Sequence, residues 1–284
     1  VLRSLPHALQ DLGHDARVFF PKYAVIDTKD LNLQSEILNL PLATSKQDPH
    51  GLLVSNVLKL VEPDGQIHAY LLENAEYYEK RANVYSYSDD TARWVLLSRG
   101  ALEFIKKSEW KPDIIVANDW MTGFIPNLLK TEYKNDPILS KIAVHFVIHN
   151  LRNQGTFDHR FISEIDYDSG QGSIPDFFDP NLWKLNGMRR GILYADVIST
   201  VSPTYAQEIL SPEFGEKLDE VLKEKRSQLF GILNGIDYEI FNPKADPQLS
   251  FKYGASNLRE RNKNKSVLQK RVNLPEDDSK FIVS

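Results

Sequence analysis

Asp113–Thr122 reads DIIVANDWMT, and Ala143–Gly155 reads AVHFVIHNLRNQG. Each begins as a short apolar run and ends in polar residues, the pattern of a buried strand that stops at a sheet edge. In a parallel sheet, ligands sit beyond the carboxyl ends of the strands. The first strand ends at Ala117 and leaves Asn118, Asp119 and Trp120 at the mouth. The second leaves His149, Asn150 and Gln154. A carboxylate, an indole, an imidazole and amides suit a sugar, whose hydroxyls need polar partners and whose apolar face fits an aromatic plate. A structural reading stands beside this one: Asp119 caps the next helix and His149 bonds a loop carbonyl. Spacing alone leaves both open.

Working outward, short apolar runs alternate with helical patterns. Strands are predicted at 16–20, 52–60, 68–72, 114–117, 142–148 and 197–201. Helices are predicted at 91–107, 122–134, 182–194, 203–210 and 258–271. Asp89 and Asp90 are expected to cap the 91–107 helix, whose buried face is Trp94, Leu97, Ala101, Phe104 and Ile105. This alternation predicts an α/β fold with a Rossmann-like, doubly wound parallel sheet. The chain opens on a helical stripe (Leu2, Leu5, Leu9, Leu12) feeding the strand at 16–20, and closes on a strand-like FIVS. A crossover helix should follow a strand, so the chain reads as a piece cut from a longer one. Residues 158–179 form a long Asp/Gly/Ser-rich loop, and 243–252 reads as a linker.

Composition narrows the function classes. With 284 residues, one large domain or two are expected. Lys and Arg total 34 against 39 Asp and Glu, a net charge of −5, which argues against a nucleic-acid coat. There is no cysteine, which removes disulfides, thiolate metal sites and cysteine nucleophiles and fits a reducing, cytoplasmic setting. No apolar run approaches the ~18 residues of a membrane span. No G-x-G-x-x-G, P-loop or H-E-x-x-H is present. Asp166-Tyr167-Asp168 fits an Asp-x-Asp metal motif, but it lies in the long loop and reads as solvated acid. The cations of RERNKNKSVLQKR (259–271) read as a solvated connector helix.

Further segments carry a resemblance: EYYEKR (76–81), GMRRGILYADVISTVSP (187–203), TYAQEILSPEFG (204–215) and GILNGIDYEIFNP (231–243). Together with NDW and IHN, in this order, the chain resembles the bacterial-type glycogen and starch synthases, hexosyltransferases that use a nucleotide-glucose donor. The resemblance implies the N-terminal, acceptor-side half of a two-domain GT-B glycosyltransferase. It places a Rossmann-like domain at 1–242, truncated at its start, a linker and helix at 243–275, and the first strand of a donor-binding domain at 276–284. It implies transfer of glucose from ADP-glucose, with UDP-glucose as the alternative, to the non-reducing end of an α-1,4-glucan with retention. No metal or other cofactor is expected. The family's glycine-rich loop and diphosphate-binding residues are not among these residues, so the 284 residues alone are expected to be inactive.

Carried over residue by residue, the family's motif carboxylate falls on Asp119 and its histidine on His149, the expected catalytic pair. Tyr78, Trp120, Asn150, Gln154 and Asn234 are the expected substrate-binding residues, with Trp120 presenting an aromatic face. Val116 and Met121 replace common polar family residues, and Arg189 replaces a lysine; the first two would reduce polar contact with glucan. Another GT-B glycosyltransferase with a different donor, and a non-catalytic glucan-binding module, are the alternatives. A second Rossmann half beyond residue 284 would favour an enzyme.

Overall fold

Apolar runs over Leu52–Val61 and Ile67–Glu73 form two strands that pair antiparallel, and Leu33–Ala43 adds an outer one. The computed structural model describes residues 3–283 except 49, 64, 156–162 and 164–165. In chain order the strands are β1 (Val18–Pro21), β2 (Leu33–Ala43), β3 (Leu52–Val61), β4 (Ile67–Glu73), β5 (Ile114–Asn118), β6 (Ala143–Ile148), β7 (Val197–Thr200) and β8 (Leu229–Gly231). The helices are α1 (Leu5–Asp11), α2 (Asp90–Lys107), α3 (Asp119–Thr122), α4 (Phe124–Lys130), α5 (Gly187–Tyr194), α6 (Pro203–Glu208), α7 (Asp219–Glu224) and α8 (Lys263–Arg271).

Among the described residues two four-stranded sheets form. One has the order β1-β4-β3-β2 and the other β5-β6-β7-β8. The second is wholly parallel, with Ala117 opposite Phe146 and Phe146 opposite Ile198. The first is mixed: β1 runs parallel to β4, while β2, β3 and β4 form an antiparallel meander. A purely doubly wound parallel sheet is therefore half of what forms. β2 escapes sequence reading because its apolar pattern changes phase at Ile37-Leu38, where the ladder register shifts, and because a proline lies within it. Asn39 sits at φ +56° in an irregularity of the ladder, its N–H donating to Asn56 Oδ1 at 3.0 Å. Pro41 is tolerated because β2 is an edge strand. On one face of the parallel sheet, Ile114, Val116 and Val197 stay exposed.

α2 is the spine of the core. Its predicted face is buried as expected, and Thr91, Arg93 and Ser98 are buried with it. Its start differs from expectation. Asp89 makes no cap bond and pairs with Arg81 instead. Asp90 turns back to accept the N–H groups of Ser86 and Tyr87 and the guanidinium of Arg93. A buried arginine needs that carboxylate more than a helix start does.

The helix expected at 122–134 forms only as α4, set off by Gly123 from the short α3 before it, and the one at 182–194 divides into a 3-10 turn (Pro180–Lys184) and α5. Both breaks let backbones meet. A Cβ on Gly123 would lie 1.9 Å from Gly187 O, and one on Gly187 would lie 2.2 Å from Trp120 O. Asn186 caps α5 by accepting the Arg189 N–H. These close approaches seat α3, which carries Asp119 and Trp120, against α5.

The chain divides into two compact units, Val1–Leu233 and Asn234–Ser284. Within the second, a 3-10 turn (Ala255–Asn262) leads into α8, and the Asn264 amide clasps the N–H and C=O of Phe251. Residues 276–283 form no strand, for a strand requires a ladder and no described residue joins them in one.

Candidate functional site

The polar mouth read from DIIVAND and FVIHN forms where β5 and β6 end side by side. Asp119 follows β5 directly and takes up φ +55°, a left-handed conformation that aspartate tolerates better than most residues. This twist turns its carboxylate across to the loop after β6. Oδ1 accepts the backbone N–H of His149 at 2.8 Å and that of Asn150 at 3.3 Å. Burial pushes the Asp119 carboxyl above the usual aspartate range, while the His149 and Asn150 bonds oppose the shift. The His149 ring meets Asn118 Oδ1 through Nε2 at 2.9 Å. The Asn150 side chain turns back to accept the Arg152 N–H.

Asp119, His149 and Asn150 thus lie together at the mouth. The remaining expected residues are placed differently. Trp120 is 8% exposed and packs edge-on against Trp94, with centroids 6.3 Å apart. The aromatic face expected at the mouth is turned into the core because α3 lies against α5. Tyr78 is 0% exposed and its hydroxyl donates to Arg93 O at 2.8 Å, so it is sealed in the core rather than lining the mouth.

Gln154 is 2% exposed, and both ends of its amide are engaged. Nε2 donates to Glu216 O, and Oε1 accepts from Asn186 Nδ2 at 2.7 Å and from the Tyr167 hydroxyl. It ties the loop after β6 to the start of α5 and to the Glu216 turn. Asn234 is exposed and opens the second unit.

The Asp-x-Asp pair has structural partners. Asp168 grips Arg190 through both carboxylate oxygens and accepts the Asn186 N–H. Asp166 is exposed beside Lys184. Among the described residues no three histidine or acidic side chains group so as to hold a metal ion. The long loop after the mouth is anchored through Asp168, and Arg189 adds a bond to Ser169 O. Residues 156–162 and 164–165 of that loop lie outside the described residues.

Asn186 and Tyr167 were missed as contributors, and Asn118 was placed at the mouth without being given a role. Asn118 stood in the quoted motif, but nothing in its spacing showed that it would face the histidine ring. Asn186 and Tyr167 meet Gln154 only through folding of distant segments.

Residues 1–224 match the family model of the starch synthase catalytic domain. The chain belongs to the starch synthase catalytic domain family. It is 37% identical to a glycogen synthase of Moorella thermoacetica, over 98% of this chain and 55% of that one. It is 39% identical to a glycogen synthase of Clostridium acetobutylicum, over 96% of this chain and 56% of that one. Among solved structures it resembles the catalytic domain of starch synthase IV from Arabidopsis thaliana bound to ADP and acarbose. That match has a TM-score of 0.78 and 26% identity, covering 97% of this chain and 55% of the other. The chain therefore spans just over half the length of the starch and glycogen synthases it matches. The α/β, Rossmann-like class expected for a GT-B glycosyltransferase is the one this likeness gives. No helix among the described residues is long and apolar enough to cross a membrane.

Proposed function

We propose that this chain forms the acceptor-side half of a glycogen or starch synthase. The donor is a nucleotide-glucose, ADP-glucose in the first instance, and the acceptor is the non-reducing end of an α-1,4-glucan. The observation that carries the reading is the Asp119 carboxylate fixing the backbone of His149 and Asn150 at the mouth of a parallel sheet, in a chain of this family.

In the reaction the bond from glucose C1 to the diphosphate oxygen breaks, a bond from C1 to the acceptor hydroxyl oxygen forms, and the acceptor proton is released. The configuration at C1 is retained. The transition state spreads positive charge over the sugar ring as negative charge grows on the leaving diphosphate. Catalysis of this kind depends on positioning and fixed polar groups. His149 and Asn150 supply them on this half of the molecule. Asp119 acts on them by holding their backbone, and Gln154 holds the loop that follows. The diphosphate-binding groups belong to the other half of a synthase-length protein. The 284 residues by themselves are expected to transfer no glucose.

The test is incubation of a synthase-length protein carrying this chain with [14C]ADP-glucose or [14C]UDP-glucose and glycogen. Label in the polymer, greater with ADP-glucose, supports the reading. Label only from UDP-glucose overturns the donor assignment. Glucan binding with no transfer from either donor would favour a binding module, and transfer to some other acceptor a different glycosyltransferase.

A further inference from the structure

Asn118 closes β5, and its amide is fixed in orientation. Nδ2 donates to Val116 O at 3.3 Å, which turns Oδ1 toward the His149 ring, 2.9 Å from Nε2. The backbone of Asn118 is held too, by the ladder to Val147 and by the Thr122 hydroxyl, which donates to its carbonyl at 2.8 Å. An amide oxygen can only accept. A neutral imidazole has one N–H and one bare nitrogen. The ring can therefore meet Asn118 only with its proton on Nε2. The other tautomer would set two lone pairs against each other at 2.9 Å. Successive residues thus hold different parts of one histidine: Asp119 its backbone N–H, Asn118 its ring.

We propose that Asn118 is a positioning residue that fixes His149 as the Nε2–H tautomer. Nδ1 is then a hydrogen-bond acceptor, and the ligand group it fits is a hydroxyl donor, as on a sugar. The choice between tautomers matters because a histidine held the other way would offer that ligand an N–H instead. The hydroxyl partner rests on the function proposed above; the tautomer does not.

The test uses a synthase-length protein with 15N-labelled histidine, studied by long-range 1H–15N correlation at about pH 8.5, above the ordinary imidazole range. His149 is assigned by the signal lost in His149→Gln. The wild-type ring should show a protonated Nε2 and a bare Nδ1. In Asn118→Leu, which removes the acceptor, the ring should become a mixture of tautomers. Turnover should fall roughly tenfold, the scale of one lost hydrogen bond, with less change in KM. Asn118→Asp keeps an oxygen at the same place and should restore both the tautomer and most of the turnover. A wild-type His149 protonated on Nδ1 would overturn the proposal whether or not any variant folds. An unchanged tautomer in Asn118→Leu would do so too. The spectrum is read without turnover, so an inactive protein with the expected tautomer would count against the function and not against Asn118.

Discussion

Asp119 Oδ1 accepts the His149 N–H at 2.8 Å, joining the residue after β5 to the residue after β6. The carboxylate does this from a left-handed backbone and a half-buried place, so three separable contributions meet at one residue.

The first two contributions separate by substitution. Asp119→Ala leaves two backbone N–H groups without their acceptor and keeps an alanine at φ +55°. A loss of about 2 kcal/mol is expected in denaturant unfolding. Asp119→Gly loses the same bonds but not the backbone penalty, so it should be the more stable of the two by about 1 kcal/mol. Equal stabilities would show that the backbone at 119 carries no strain.

The third contribution is set by pH. Burial raises the Asp119 carboxyl in the folded chain, so the folded state binds its proton more tightly than the unfolded state does. Stability from this group is greatest at acid pH and falls as pH rises from about 3.9, the unfolded value, through the raised folded value. Relative to Asp119→Asn, wild type should therefore lose stability as pH rises across that window. A difference that stays flat would show that the carboxyl is not raised.

Trp120 stands edge-on to Trp94 inside the core. Trp120→Ala should cost roughly 3–5 kcal/mol in stability, and Trp120→Phe much less. Urea unfolding of the two variants measures this. A Trp120→Ala protein as stable as wild type but poor in glucan binding would restore the exposed-plate reading taken from the sequence.

The difference between Asp119 and Trp120 shows how far the sequence could be read. Apolar runs ending in NDW and HN placed two strand ends side by side, since parallel strands put their carboxyl ends on one edge. Which neighbour of a motif faces out depends on packing that the motif does not encode. Trp120 turned inward because Gly187 lets α5 approach its carbonyl, and Tyr78 was sealed by Arg93 on a different element. β2 was missed because its apolar pattern changes phase at Ile37-Leu38 and an edge proline lies within it. Gln154 was found as a polar group at the mouth, but its use as a tie between Asn186 and Glu216 depends on residues 32 and 62 positions away.

His145 lies two strands into the parallel sheet, 2.7 Å from Ser199 Oγ, and burial lowers its pKa below the ordinary 6.5. A histidine lowered in the folded state binds its proton more weakly there than when unfolded. Its contribution is present above pH 6.5 and is lost as pH falls from there through the folded value. Wild type should lose stability relative to His145→Gln over that window, at no more than about 1.4 kcal/mol per pH unit. Parallel pH profiles for the two proteins would contradict this. Glucose transfer at neutral pH should be little changed by His145→Gln.

The most direct measurement is the turnover of His149→Ala in a synthase-length protein, with [14C]ADP-glucose and glycogen as substrates and the melting temperature read alongside. A histidine that orients the transferred sugar costs roughly 100-fold or more in rate when it is lost. The predicted result is that fall with a melting temperature close to wild type. Turnover within a few-fold of wild type, in a folded protein, would contradict the placement of the reaction at the Asp119–His149 mouth.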